Sequence, residues 1–176
     1  MDATIRRLGP ADAEAYVALR REMLLDTPFA FGSSPEDDRG SDLEGMRRLL
    51  AKEDGDVVFG ACVPALVGAI GVMRERGRKE RHKVALWGMY VAPRRRRSGI
   101  GRRLVEAAIA HARTLEGVRQ VHLGVNERTP GARVLYESVG FARWGTEPRG
   151  ILHESEFADE HHMVLLLDGP PSPGPT

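Results

Sequence analysis

The chain has 176 residues, 41% hydrophobic and 29% charged, which predicts a globular protein of one domain whose core folds without staples. A single cysteine, Cys62, excludes an internal disulfide. With no basic and apolar leader and no apolar run long enough for a bilayer, it predicts a cytoplasmic protein. Net charge is +1, but residues 74–103 hold 12 Lys/Arg against 2 Asp/Glu, so positive charge is focused on one segment and suits an anionic ligand.

Residues 4–8 read as a short first strand. Gly9-Pro10 then opens a helix, with Asp12 and Glu14 at its positive end and Tyr16, Leu19 and Met23 on its apolar face, Arg20 and Arg21 lying off it. The loop TPFAFGSSP, residues 27–35, breaks the pattern, and Ser41 with Glu44 three residues on predicts a capped second helix carrying Leu43, Met46, Leu49 and Leu50. Residues 56–63 and 66–76 read as an antiparallel hairpin around Pro64, with Cys62 a small core side chain. VALWGMYV, residues 84–91, reads as a strand buried on both faces, and Gly88 within it predicts a bulge or a close backbone approach. Residues 99–115 are helical, 120–126 a strand, and Thr129-Pro130 caps a helix that stops at Gly140. Residues 141–147 and 162–168 read as the last strands. The order β-α-α-β-β-β-α-β-α-β-β predicts an α/β domain over residues 1–168, with a mixed sheet and helices on its faces. GPPSPGPT, residues 169–176, is expected to be a disordered tail.

The basic segment ends in RRRRSGIGRRL, residues 94–104, between a strand and a helix. Backbone N–H groups at such a helix start, with glycines to allow close approach, favour a phosphate or pyrophosphate. Neither common nucleotide pattern fits. Leu104 stands where a dinucleotide-binding turn needs its third glycine, and no Gly-Lys-Ser/Thr follows. Arg96-Arg97-Ser98-Gly99-Ile100-Gly101 instead resembles the Q/R-x-x-G-x-G/A motif of the GNAT superfamily of acyl-CoA-dependent N-acyltransferases. Residues 125–141, VNERTPGARVLYESVGF, resemble that superfamily's closing motif through Ala132, Leu135, Tyr136, Gly140 and Phe141. Thr129 stands where family members often carry Asn.

The resemblance implies a sheet of about seven strands with four helices on its faces, and acetyl transfer from acetyl-CoA to a primary amine. It implies backbone contacts from Met89, Tyr90 and Val91 to the pantetheine arm, and a pyrophosphate cradle from Arg96, Arg97, Ser98, Gly99, Ile100, Gly101 and Arg102, with Thr129 beside the cofactor. Tyr136 matches the tyrosine that protonates the departing thiolate in many relatives. Residues 83–91 contain no carboxylate, whereas some relatives carry a Glu base in that strand. The base is therefore unassigned: His82 and Glu147 are the foremost candidates, and Glu80, Asp159, Glu160, His161 and His162 are others. His161-His162 is not read as a metal site, because adjacent strand residues point to opposite faces. Phe29 and Phe31 are candidate walls of an acceptor pocket. The acceptor is expected to be a small-molecule or peptide amine, with no membrane partner, and sheet edges that can support a homodimer. A silent acyl-CoA-binding module is the competing reading. Binding of nucleic acid is disfavoured by the low net charge and by the lack of aromatics among Arg94, Arg95, Arg96 and Arg97.

Overall fold

A computed structural model describes residues 2–168; the tail expected over 169–176 lies outside them. The chain runs β1 (Thr4–Arg7), α1 (Ala13–Asp26), α2 (Leu43–Leu50), β2 (Val57–Val63), β3 (Ala65–Arg74), β4 (Lys83–Val91), α3 (Ile100–Thr114), β5 (Gln120–Asn126), α4 (Pro130–Ser138), β6 (Ala142–His153) and β7 (Glu156–Leu166). The seven strands form one sheet in the order β1-β2-β3-β4-β5-β7-β6. Only the β4–β5 pair is parallel, as a strand-helix-strand crossover through α3 requires. The expected element order and the mixed α/β class are both observed.

Buried residues form one cluster. The middle of β3, including Val67, Ala69, Ile70 and Val72, is buried on both faces, and Leu104, Val105, Ala108 and Ala112 of α3 pack into the cluster. β4 is less enclosed than its composition predicts: Val84, Leu86, Tyr90 and Val91 are buried, whereas Ala85, Trp87 and Met89 are half-exposed. Cys62 is likewise half-buried. Among the described residues no helix is long and apolar enough to cross a membrane.

Four local expectations need correction. The cap of α2 is Asp42, whose carboxylate accepts from the Glu44 amide at 3.1 Å; Ser41 instead donates to the Asp38 carbonyl. Thr129 precedes α4, but its hydroxyl donates to the Asn126 carbonyl at 2.8 Å and leaves the helix amides alone. The last two strands extend to His153 and back from Glu156, because Glu154 and Ser155, both at positive φ, make a tight hairpin rather than a long loop. Arg20, expected off the apolar face of α1, is buried against Asp38 in a two-pronged pair at 2.8 and 3.0 Å. Burial opposes ionisation of Asp38, yet the hydrogen bonds and charge of Arg20 outweigh it and lower its pKa.

Candidate active site

The site begins with an interruption in the sheet. β4 and β5 pair only from Lys83–Ala85 to Gln120–His122, and beyond that their ends part. A bulge in β4 sits at this point: three residues of β3, Ala69 to Gly71, span four of β4, Tyr90 to Trp87. Gly88 within the bulge has φ +59°, a backbone turn that side-chain-bearing residues resist. The parting exposes backbone donors and acceptors along residues 86–91 and 123–126, edges that an extended ligand can pair with.

A cleft of about 520 Å³ occupies the gap. Its walls carry Met89, Tyr90 and Val91 from β4, Gly124, Val125 and Asn126 from β5, Leu135 and Tyr136 from α4, and Phe31 from the loop after α1. At one end lies the turn into α3. Arg97 and Gly99 both take positive φ there, at 58° and 79°, and Gly99 precedes the first helical residue. The first helical bond at this end is made by the Arg103 amide to the Gly99 carbonyl at 3.2 Å. The amides before it, those of Ile100, Gly101 and Arg102, remain available at the positive end of the helix.

The arginine run divides by role. Arg94 pairs with Glu22 at 3.5 Å. Arg96 pairs with Asp26, donates from Nε to the Val91 carbonyl at 2.9 Å, and lies over the Tyr90 ring. Arg95 and Arg97 line the cleft, and among the described residues neither has an ion-pair partner. The Arg102 side chain turns to Glu106 at 3.2 Å and Ser138 Oγ at 3.1 Å. Ser98 stitches the turn by donating to the Arg95 carbonyl at 2.6 Å, and Ile100 is buried in the core. Met89, Tyr90, Val91, Arg96, Arg97, Gly101 and Thr129 thus line the cleft, while Ser98, Gly99, Ile100 and Arg102 lie in the adjoining turn and helix start, off its wall.

Tyr136 also lines the cleft. It is buried, with its ring edge-on to Phe141 at 5.7 Å, and burial raises its pKa. The phenol therefore holds its proton at neutral pH. Tyr90 is raised too, by burial and then by Asp26, but its hydroxyl points to Asp26 and Glu22 at 3.2 and 3.4 Å.

His82 and Glu147 are not brought to the cleft. His82 lies in the turn before β4, and its carbonyl accepts from the Arg119 amide at 2.8 Å. Glu147, on edge strand β6, meets His162 Nε2 at 3.2 Å. Phe31 lines the cleft; Phe29 instead sits between the Arg128 guanidinium, 4.1 Å from its ring centre, and His153. Sequence reading missed Asn126, which is buried on the cleft wall. Its Oδ1 accepts from the Arg128 amide at 3.0 Å, while its Nδ2 has no partner. The available signal was the position: the last residue of a strand that feeds the closing motif.

A mixed sheet split at its centre, with a glycine turn and helix start closing one end of the split, defines an N-acyltransferase fold. A model described as the acetyltransferase (GNAT) family matches residues 16–141, and the chain belongs to that family. The structure is similar to an acetyltransferase of the GNAT family from Streptococcus pneumoniae, with TM-score 0.86 and 27% identity, covering 94% of this chain and 100% of that one. It shares its fold with yncA, a putative acetyltransferase of Salmonella typhimurium solved with its cofactor acetyl-CoA, at TM-score 0.80, 23% identity and 98% coverage of both chains. A mycothiol acetyltransferase of Thermobispora bispora is 48% identical over 54 residues, 31% of this chain and 18% of that protein. The match thus spans less than a fifth of that relative's length.

Proposed function

We propose that this protein transfers an acetyl group from acetyl-CoA to a primary amine by direct attack within a ternary complex. The observation that carries the reading is that one cleft joins a glycine turn with free helix-start amides to a buried, protonated tyrosine. The amides of residues 97–102, with Arg95 and Arg97, would hold the pyrophosphate, and Arg96 would brace the turn from behind. The exposed edge of Met89, Tyr90 and Val91 would pair with the pantetheine arm and offer an N–H to the oxyanion. Thr129 would border the arm from the start of α4. The amine nitrogen attacks the thioester carbon, the C–S bond breaks, and Tyr136 gives its proton to the departing thiolate.

Attack needs a neutral nitrogen. A lysine-like amine, with pKa ~10.4, is neutral in roughly one molecule per few thousand at pH 7, so a proton acceptor belongs to the mechanism. His82 and Glu147 both lie off the cleft wall.

The test is CoA thiol release from acetyl-CoA against pooled polyamines, amino acids, aminoglycosides and short peptides. Release with at least one pool, and an acetylated product by mass, is expected. Saturable acetyl-CoA binding without release from any pool would favour the silent module.

A further inference from the structure

The carboxylate missing from β4 has a counterpart elsewhere. Glu160 lies on β7, directly opposite Asn126 of β5 and Glu147 of β6. Residues directly opposite in antiparallel strands share a face. Glu160 therefore projects from the face that carries the Asn126 side chain, and Asn126 lines the cleft. Its carboxylate leans across β5 onto Gly124: a Cβ on Gly124 would stand 1.7 Å from Glu160 Oε1. Gly124 is itself a cleft wall, and Glu160, though off the wall like Glu147, is held directly against this glycine. On the other side, Gly150 of β6 would place a Cβ 3.0 Å from Glu160 Cβ. Two glycines, one on each neighbouring strand, thus leave the room that the side chain fills.

The neighbours of Glu160 are committed elsewhere. Glu147 is taken by His162 at 3.2 Å, and Asp159 accepts from the Arg149 amide at 2.8 Å. Among the described residues no hydrogen bond or ion pair engages the Glu160 carboxylate. A half-buried carboxylate without a partner, held over a glycine of the cleft wall, marks a place that suits a ligand donating hydrogen bonds. An amine entering the cleft has that character.

We infer that Glu160, reaching over Gly124 from the neighbouring strand, is the base that takes the proton from the acceptor ammonium. The inference rests on the acetyltransfer reading above. The ammonium gives one proton to Glu160, which passes it to solvent. The neutral nitrogen forms the C–N bond as the C–S bond breaks. The thiolate takes the Tyr136 proton, and the second proton lost from nitrogen restores the phenol through solvent. The products are the amide, CoA thiol and one proton released.

The experiment compares wild type with Glu160→Gln, using an amine that the wild type accepts from the pools named above, across pH 7 to 9.5. Glu147 and His162, the titratable neighbours on that face, are the same in both proteins and cancel in the ratio. At pH 7 the variant is expected to lose about 10²-fold in kcat/KM, with acetyl-CoA binding unchanged. The deficit should shrink by about tenfold per pH unit, because the amine's own neutral fraction rises by that factor below its pKa. Gly124→Ala is the second variant: its methyl would displace the far end of the Glu160 side chain and should give the same pH-dependent loss, not additive with Glu160→Gln. A deficit constant across pH, or no deficit, overturns the assignment of Glu160 while acetyl transfer stands. A wild type that binds acetyl-CoA but acetylates no amine overturns the acetyltransfer reading itself, and this inference with it.

Discussion

The two ends of the cleft are built differently. The end proposed for the phosphates is made from one uninterrupted stretch: Val91 ends a strand, Arg97 and Gly99 turn the chain, and Ile100 starts a helix. The far end is assembled from the loop after α1 (Phe31), the end of β5 (Gly124, Asn126) and, by our inference, β7 (Glu160). A site made by local backbone geometry depends little on the rest of the fold. A site assembled from distant segments depends on each contact that holds those segments in place.

That contrast yields graded expectations. The loop bearing Phe31 is pinned by the buried Arg20–Asp38 pair, and the Arg20 guanidinium lies 5.3 Å from the centre of the Phe31 ring. Asp38→Ala would leave a buried cation unpaired and should cost about 3–5 kcal/mol of stability, read by denaturant unfolding. Acceptor KM should rise in the remaining folded protein, whereas acetyl-CoA affinity should hold. Equal losses at both ends would break the comparison.

Tyr136→Phe should leave acetyl-CoA binding unchanged and lower kcat by about 10²-fold. Unchanged turnover would remove Tyr136 as the acid. At the phosphate end, replacing Arg95 and Arg97 together by Ala should weaken acetyl-CoA binding by about tenfold or more, since each would be a charge-assisted contact. Replacing Arg94 and Arg102, which are paired away from the cleft, should change it less than about threefold. Indifference to the first pair would show that the arginines are only a solvated face.

The smallest effect lies outside both ends. Hydrogen bonds from Arg6, and then the Gly9 amide, lower the Asp12 carboxyl to about 2 against the opposing effect of burial. A depressed folded pKa adds stability above the unfolded value near 3.8 that is lost as pH falls towards 2. Arg6→Ala should flatten this part of the stability–pH curve, a change of about 1 kcal/mol or less because the pair is partly exposed. Acetyl-CoA affinity at neutral pH should not move.

The same contrast explains what could be read from sequence. Strand, turn and helix signals around RRSGIG are local, so the turn into α3 and the element order were legible in the residues themselves. The bulge at Gly88 was legible too, as a lone glycine in an apolar strand. The role of each arginine was not, because Glu22 and Asp26 approach from α1, far away in the chain. Arg20 read as a surface residue because its partner Asp38 lies across a loop. Glu160 was one of several acidic and histidine residues near the last strands. Only the register of β7 against β5, and the room over Gly124 that its side chain fills, set it apart from Glu147. Local backbone codes survive in one dimension, whereas pairings between strands must be seen in three.

In the proposed complex, acetyl-CoA lies in the gap between β4 and β5 with its pyrophosphate at the start of α3. Amide hydrogen exchange with and without saturating acetyl-CoA tests it most directly. New protection is expected in residues 86–91 and 97–102, and none in α2. Saturable binding that leaves both segments exchanging as before would contradict it.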